Sequence, residues 1–203
     1  MLFLTLTGCA ALLGYSEIRA ANLRDGASLW AERLGELDTQ LPYSLTGIDA
    51  ALAVCLRATS GNDRLFQPKS QRQETALICG NLAGQVLDRM PSHGTAFLVA
   101  AQSAGRPENR AYFLEQSQRF APSEGWLAER RIVLALQEDA LDSRYAQKDL
   151  QLVLTTQGGA EFLAKLYLAQ PETRDGLTAA VLSTPEPIRR RFVNQLSKQK
   201  AAR

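Results

Sequence analysis

Apolar side chains along this chain recur at spacings of three and four residues, and short polar or glycine- and proline-bearing stretches separate the runs. In the central part Phe97, Ala100, Ala101 and Ala104 stand at i, i+3, i+4 and i+7 of one helical face. Gly105-Arg106-Pro107-Glu108 follows, a stop, a turn and a proline suited to a first helical turn. A second helix is predicted immediately, with Phe113, Leu114, Ser117, Phe120 and Ala121 as its inner stripe. Pro122-Ser123-Glu124-Gly125 breaks that pattern, and Trp126 to Leu136 begins a third apolar-rich helix.

The same grammar extends both ways. Upstream, residues 16–37 predict an amphipathic helix with Leu23, Trp30 and Leu34 near one side. Leu41-Pro42-Tyr43-Ser44 connects it to a helix striped by Ile48, Leu52, Cys55 and Leu56, which ends before Ser60-Gly61-Asn62-Asp63. After a polar loop to Lys69, Ser70 and Gln73 read as a capping box. They open a helix striped by Ile78, Cys79, Leu82, Ala83 and Val86, which Pro91 closes. Downstream, Ala146, Leu150, Val153 and Leu154 mark a helix that Gly158-Gly159 is expected to break. Phe162, Leu163, Leu166 and Tyr167 mark the next, up to Pro171. Leu177 to Leu182 adds a short helix, and Ile188, Phe192, Val193 and Leu196 line one side of the last. No stretch alternates strictly with β-branched residues, so the fold class expected is all-α.

The central unit resembles the tetratricopeptide repeat, a pair of short helices repeating after about 34 residues. Gly105 and Pro122 stand where that family has its turn glycine and terminal proline, and Leu114 and Ser117 where it has a large apolar residue and a small one. Arg110 departs from the pattern, since the family has a small residue there. The resemblance implies antiparallel helix hairpins stacked as a short solenoid, with a repeat-like unit at about 92–136 inside a single helical domain spanning 17–203. It also implies a concave face for a protein partner. Gly158 to Ala164 and Pro187 to Phe192 give a second resemblance, to small membrane-anchored helical proteins of alphaproteobacteria associated with surface-polysaccharide loci.

Composition adds that 203 residues, 45% hydrophobic and 22% charged, suffice for a soluble core and give no sign of disorder. The formal charge of +2 is unevenly spread: six basic residues and no acid follow Glu186, which leaves residues 1–186 at −4. Arg189, Arg190, Arg191, Lys198 and Lys200 suit either an anionic surface or a solvated helix end whose cations complement the dipole. Aromatic residues that would stack on bases are missing around them, so no nucleic acid is expected.

Residues 1–16 form a hydrophobic segment, and Met1 to Tyr15 carries no charged side chain, yet a membrane span needs about 20 apolar residues. A signal or anchor, a lipoprotein signal and the buried start of a helix all remain open. For the second, Leu6-Thr7-Gly8-Cys9 matches the pattern of a lipidated cysteine, although the leader is shorter than a usual signal. Arg19 and Arg24 are offset by Glu17 and Asp25 and give no orientation.

One histidine and three cysteines exclude most metal and catalytic-triad chemistry. His93 reads as a helix-start residue, Gly80 and Gly84 as a close-packing pair, and adjacent Glu138 and Asp139 as a helix end rather than an acid–base pair. No phosphate loop or nucleophile elbow occurs, and no enzyme activity, cofactor, metal or small-molecule substrate is expected. Cys55 and Cys79, 24 residues apart on the inner stripes of consecutive helices, would meet in an antiparallel hairpin. They would be a disulfide in an exported domain and core thiols in a cytosolic one. The function expected is a membrane-attached, periplasm-facing scaffold of the bacterial inner membrane, or a lipoprotein, that binds a protein partner in an envelope or surface-polysaccharide assembly. The alternative is an accessory enzyme or regulator of a glycan-processing enzyme.

Overall fold

The computed structural model describes residues 14, 15, 18, 41–60 and 67–201, and every regular element among them is helical. Of the predicted segment 1–16 and the helix at 16–37 only Gly14, Tyr15 and Ile18 are described; Cys9 and most of the polar loop before Lys69 lie outside the described residues. In chain order the helices are α1 (Leu45–Ser60), α2 (Lys69–Arg89), α3 (Gly94–Ser103), α4 (Pro107–Phe120), α5 (Gly125–Gln137), α6 (Arg144–Thr155) and α7 (Gln157–Ala169). A 3-10 turn (Pro171–Thr173), α8 (Arg174–Leu182) and α9 (Glu186–Ala201) follow. The described residues divide into two compact units, one up to Phe113 and one from Leu114.

In the first unit α1, α2 and α3 all pack on one another. The stripe Ile48, Leu52, Cys55 and Leu56 meets Cys79, Leu82, Ala83 and Val86, and α3 is buried along Ala96 to Ala101. Each fully buried leucine contributes about 1.5–3 kcal/mol from its apolar surface. Of the two spaced glycines, Gly80 serves the α2–α3 approach: a Cβ there would lie 3.3 Å from Ser103 Cβ, whereas one at Gly84 would meet nothing.

In the second unit α5 packs on α6, α6 on α7 and α5 on α7, and α9 crosses α7 and α6. Leu127, Ile132, Leu150, Leu154, Leu163 and Leu177 fill the interior. Phe192 seats α9 there, with its ring edge-on to Tyr167 at 5.9 Å.

Three local expectations are corrected. No capping box opens α2: Pro68 is the N-cap with ψ 153°, its carbonyl accepts from Arg72 N, and Ser70 falls inside the first turn, too late to cap. The break between α6 and α7 is Thr156, not the glycines, which belong to the first turn of α7. Thr156 Oγ1 donates to Val153 O at 3.1 Å and accepts from Gly159 N at 3.0 Å, so one residue caps both helices. In α4 the inner stripe runs through Leu114, Ser117 and Gln118, leaving Phe120 39% exposed. Helix α5 ends on Glu138, with Asp139 at φ 52° and Ala140 N bonded to Ala135 O at 2.8 Å. This left-handed residue after the C-cap satisfies the last carbonyls, the arrangement in which glycine is usual and aspartate tolerated.

Candidate functional site

Cys55 and Cys79 are joined by a disulfide between α1 and α2, with Cα atoms 5.5 Å apart and both side chains fully buried. One turn further along α1, Thr59 Oγ1 lies 2.8 Å from Cys55 O and 2.6 Å from Gln102 Oε1, sharing its single proton between them. Beside it a void of about 20 Å³, lined by Thr59, Thr75 and Gln102 among others, takes nothing larger than a water molecule.

His93 caps α3. Its Nδ1 accepts from Ala96 N at 3.3 Å, which leaves Nε2 to carry the proton that faces Asp49 Oδ1 at 3.3 Å. One carboxylate at one imidazole, with the nitrogen opposite it occupied as a cap, supplies no nucleophile and no shared proton relay. Among the described residues no group of three or more His, Cys, Asp or Glu is placed to hold a metal ion.

The polar geometry that recurs is arginine reaching back to the end of an earlier helix. Arg110, the residue that departs from the repeat pattern, donates from Nε to Ala101 O at 3.3 Å and from Nη2 to Ala104 O at 2.8 Å. Arg174 does the same for α7 through Tyr167 O at 2.9 Å and Leu168 O at 3.4 Å, and Arg189 for α8 through Leu182 O at 3.3 Å. The last carbonyls of a helix lack intrahelical donors and carry partial negative charge, so a guanidinium both satisfies them and complements the dipole.

Arg131 is the extreme case. It and Asp149 are wholly buried, joined by Nε–Oδ2 at 2.7 Å and Nη2–Oδ1 at 2.8 Å. The remaining donors reach Ser117 Oγ at 3.2 Å, Ser117 O at 3.4 Å and Ala121 O at 3.3 Å, at the end of α4. All five guanidinium N–H groups therefore have acceptors, the condition for a tolerable buried cation. Burial pushes the Asp149 carboxyl above the usual range, and the bonds and charge of Arg131 oppose this without overcoming it. The cluster is structural, since both side chains are shut off from solvent and every guanidinium donor is already taken within the fold. Its sequence signal is a charge of each sign on an apolar stripe: Arg131 between Ala128 and Ala135 on α5, Asp149 between Ala146 and Val153 on α6.

The predicted basic residues separate on α9. Arg190 pairs with Glu186 at 2.5 Å, Arg191 Nη1 donates to Thr155 O at the end of α6, and Lys198 and Lys200 are exposed. Arg191 and Lys198 come together on a groove with Asn194 and Gln195, two residues that carry no signal in the sequence to single them out.

No family model and no curated protein matches the chain. A thermophilic TPR protein of Thermus thermophilus aligns over 82% of this chain and 98% of its own, at 21% identity and a TM-score of 0.34. A likeness at that score carries no argument, and the helix-hairpin description rests on the chain's own packing. No helix among the described residues is long and apolar enough to cross a membrane.

Proposed function

We propose that this chain is a helical-repeat scaffold that holds a protein partner. The observation that supports it is a contact pattern that occurs in each unit by itself. Helix α1 packs on α2, α2 on α3 and α1 on α3; likewise α5 packs on α6, α6 on α7 and α5 on α7. A helix that touches its successor and its second successor is what stacked hairpins produce, and such stacks leave long faces open to partners. Apolar side chains stand on those outer faces: Leu77 is 64% exposed and Trp126 48%.

The scaffold works, in this proposal, at a bacterial envelope, facing the periplasm, with the uncharged segment 1–15 as membrane anchor or Cys9 as a lipidation site. A disulfide between Cys55 and Cys79 fits an oxidising compartment. A surface-polysaccharide assembly is the setting that the resemblance to alphaproteobacterial proteins implies. The test is photo-crosslinking in native cells from a photoreactive amino acid in place of Leu77 or Trp126. Discrete protein adducts are expected. Monomer alone from both positions, together with turnover of a glycan substrate by the purified chain, would favour the accessory-enzyme alternative.

A further inference from the structure

We propose that the groove between α9 and the start of α7 takes an extended, acidic peptide segment of the partner, a reading that rests on the scaffold function above. An open cavity of about 300 Å³ lies there, and a second of about 380 Å³, lined by α9 residues alone, adjoins it through Arg191 and Asn194. Together they follow α9 from Glu186 to Lys198, roughly 18 Å of helix. That is the reach of about five extended residues.

The chemistry is set by one face of α9. Arg191, Asn194, Gln195 and Lys198 stand at i, i+3, i+4 and i+7 and all line the cavity, so two cations flank two amides. The opposite wall, Thr156, Gln157 and Ala160, is uncharged. The acid at the far end, Glu186, is already bound by Arg190. Arg191 is held in place, because Nη1 donates to Thr155 O, and its other N–H groups are left to a ligand. Side-chain amides can both donate to and accept from a peptide backbone, and the flanking cations pair with carboxylates. Along an extended chain, alternate side chains repeat about every 6.8 Å on one side, and Arg191 and Lys198 lie about 10.5 Å apart along the helix axis. Carboxylates two to four residues apart therefore reach both cations. The two cavities follow one another along α9, which suits a chain better than a single small anion.

The test is fluorescence anisotropy of a labelled octaglutamate peptide titrated with the full chain. We expect saturable binding, weakened about tenfold in Arg191→Glu/Lys198→Glu and several-fold in Asn194→Ala/Gln195→Ala. Lys69→Glu/Lys200→Glu makes the same charge change at two exposed side chains that line neither cavity and should shift the affinity by less than about twofold. Should Arg191→Glu unfold the chain, Lys198→Glu alone carries the comparison, since that side chain is exposed. Equal losses in the two charge-reversed pairs would overturn the proposal. So would binding to phosphatidylglycerol vesicles without peptide binding, displacement of the peptide by millimolar inorganic phosphate, or self-association of the chain through this face. If the groove fails while cross-links still form at positions 77 and 126, the scaffold stands without it.

Discussion

Arg131 and Asp149 face each other through two hydrogen bonds, 2.7 and 2.8 Å long, in an interior from which both side chains are wholly excluded from solvent. Breaking such a pair leaves an uncompensated buried charge, which costs more than removing both partners. Arg131→Met and Asp149→Leu should each destabilise the chain by about 3–5 kcal/mol in urea unfolding, and the double variant by much less than their sum. Additive losses would show that the two side chains act independently.

The same pair sets a pH dependence. In the unfolded chain the Asp149 carboxyl titrates near its ordinary value, about 3.9. Burial raises it in the folded chain, so the folded state holds that proton more tightly. The stability contributed through it is complete below the unfolded value and is lost as pH rises through the folded one. Relative to Asp149→Asn, which cannot titrate there, wild type should gain stability as pH falls from neutral toward 4. Denaturant midpoints measured across that range give the answer, and a gap that moves the other way on acidification would mean that Arg131 outweighs burial.

Two adjacent glycines separate conformational freedom from close approach. A Cβ on Gly159 would run into the Val153 carbonyl, while one on Gly158 would meet nothing. Neither residue has positive φ. Gly158→Ala should therefore stabilise α7 by about 0.5–1 kcal/mol, and Gly159→Ala should lower the melting temperature sharply. Equal effects at the two positions would be incompatible with this geometry.

The Cys55–Cys79 bond ties α1 to α2. Alkylation of unreduced protein should leave both residues unmodified, as mass spectrometry of the peptides will report. Cys55→Ala/Cys79→Ala should cost about 2–4 kcal/mol in the chain-entropy picture. Free thiols in protein prepared from an oxidising compartment would remove the bond and weaken the case for export.

The helices were legible wherever apolar periodicity and a stop signal agreed. Leu52, Leu56, Leu82, Val86, Leu150 and Leu154 are all buried as their stripes require, and Pro107 opens α4. Illegible were the features that depend on what a neighbouring helix offers. Ser70 has the composition of a cap but sits inside the first turn, because Pro68 already fixes the entry backbone. Phe120 continues a stripe in sequence that its helix end no longer presents to a core. Arg131 interrupts the stripe of Ala128 and Ala135, a signal that adjacent Arg130 masks; only the carbonyls of α4 and the carboxylate on α6 make its burial tolerable, and all of them are distant in sequence. The groove residues Asn194 and Gln195 carry no charge to draw notice and gain meaning from Arg191 and Lys198 on either side.

Between α6 and α7 the chain spends a single residue, Thr156. Rotation of one helix about its axis is therefore transmitted to the other, as through a crank. One inserted residue would turn α7 by about 100° and advance it by about 1.5 Å, swinging Leu163 and Ala164 off the interior that they now fill. Changes of length that a surface loop would absorb have no slack here.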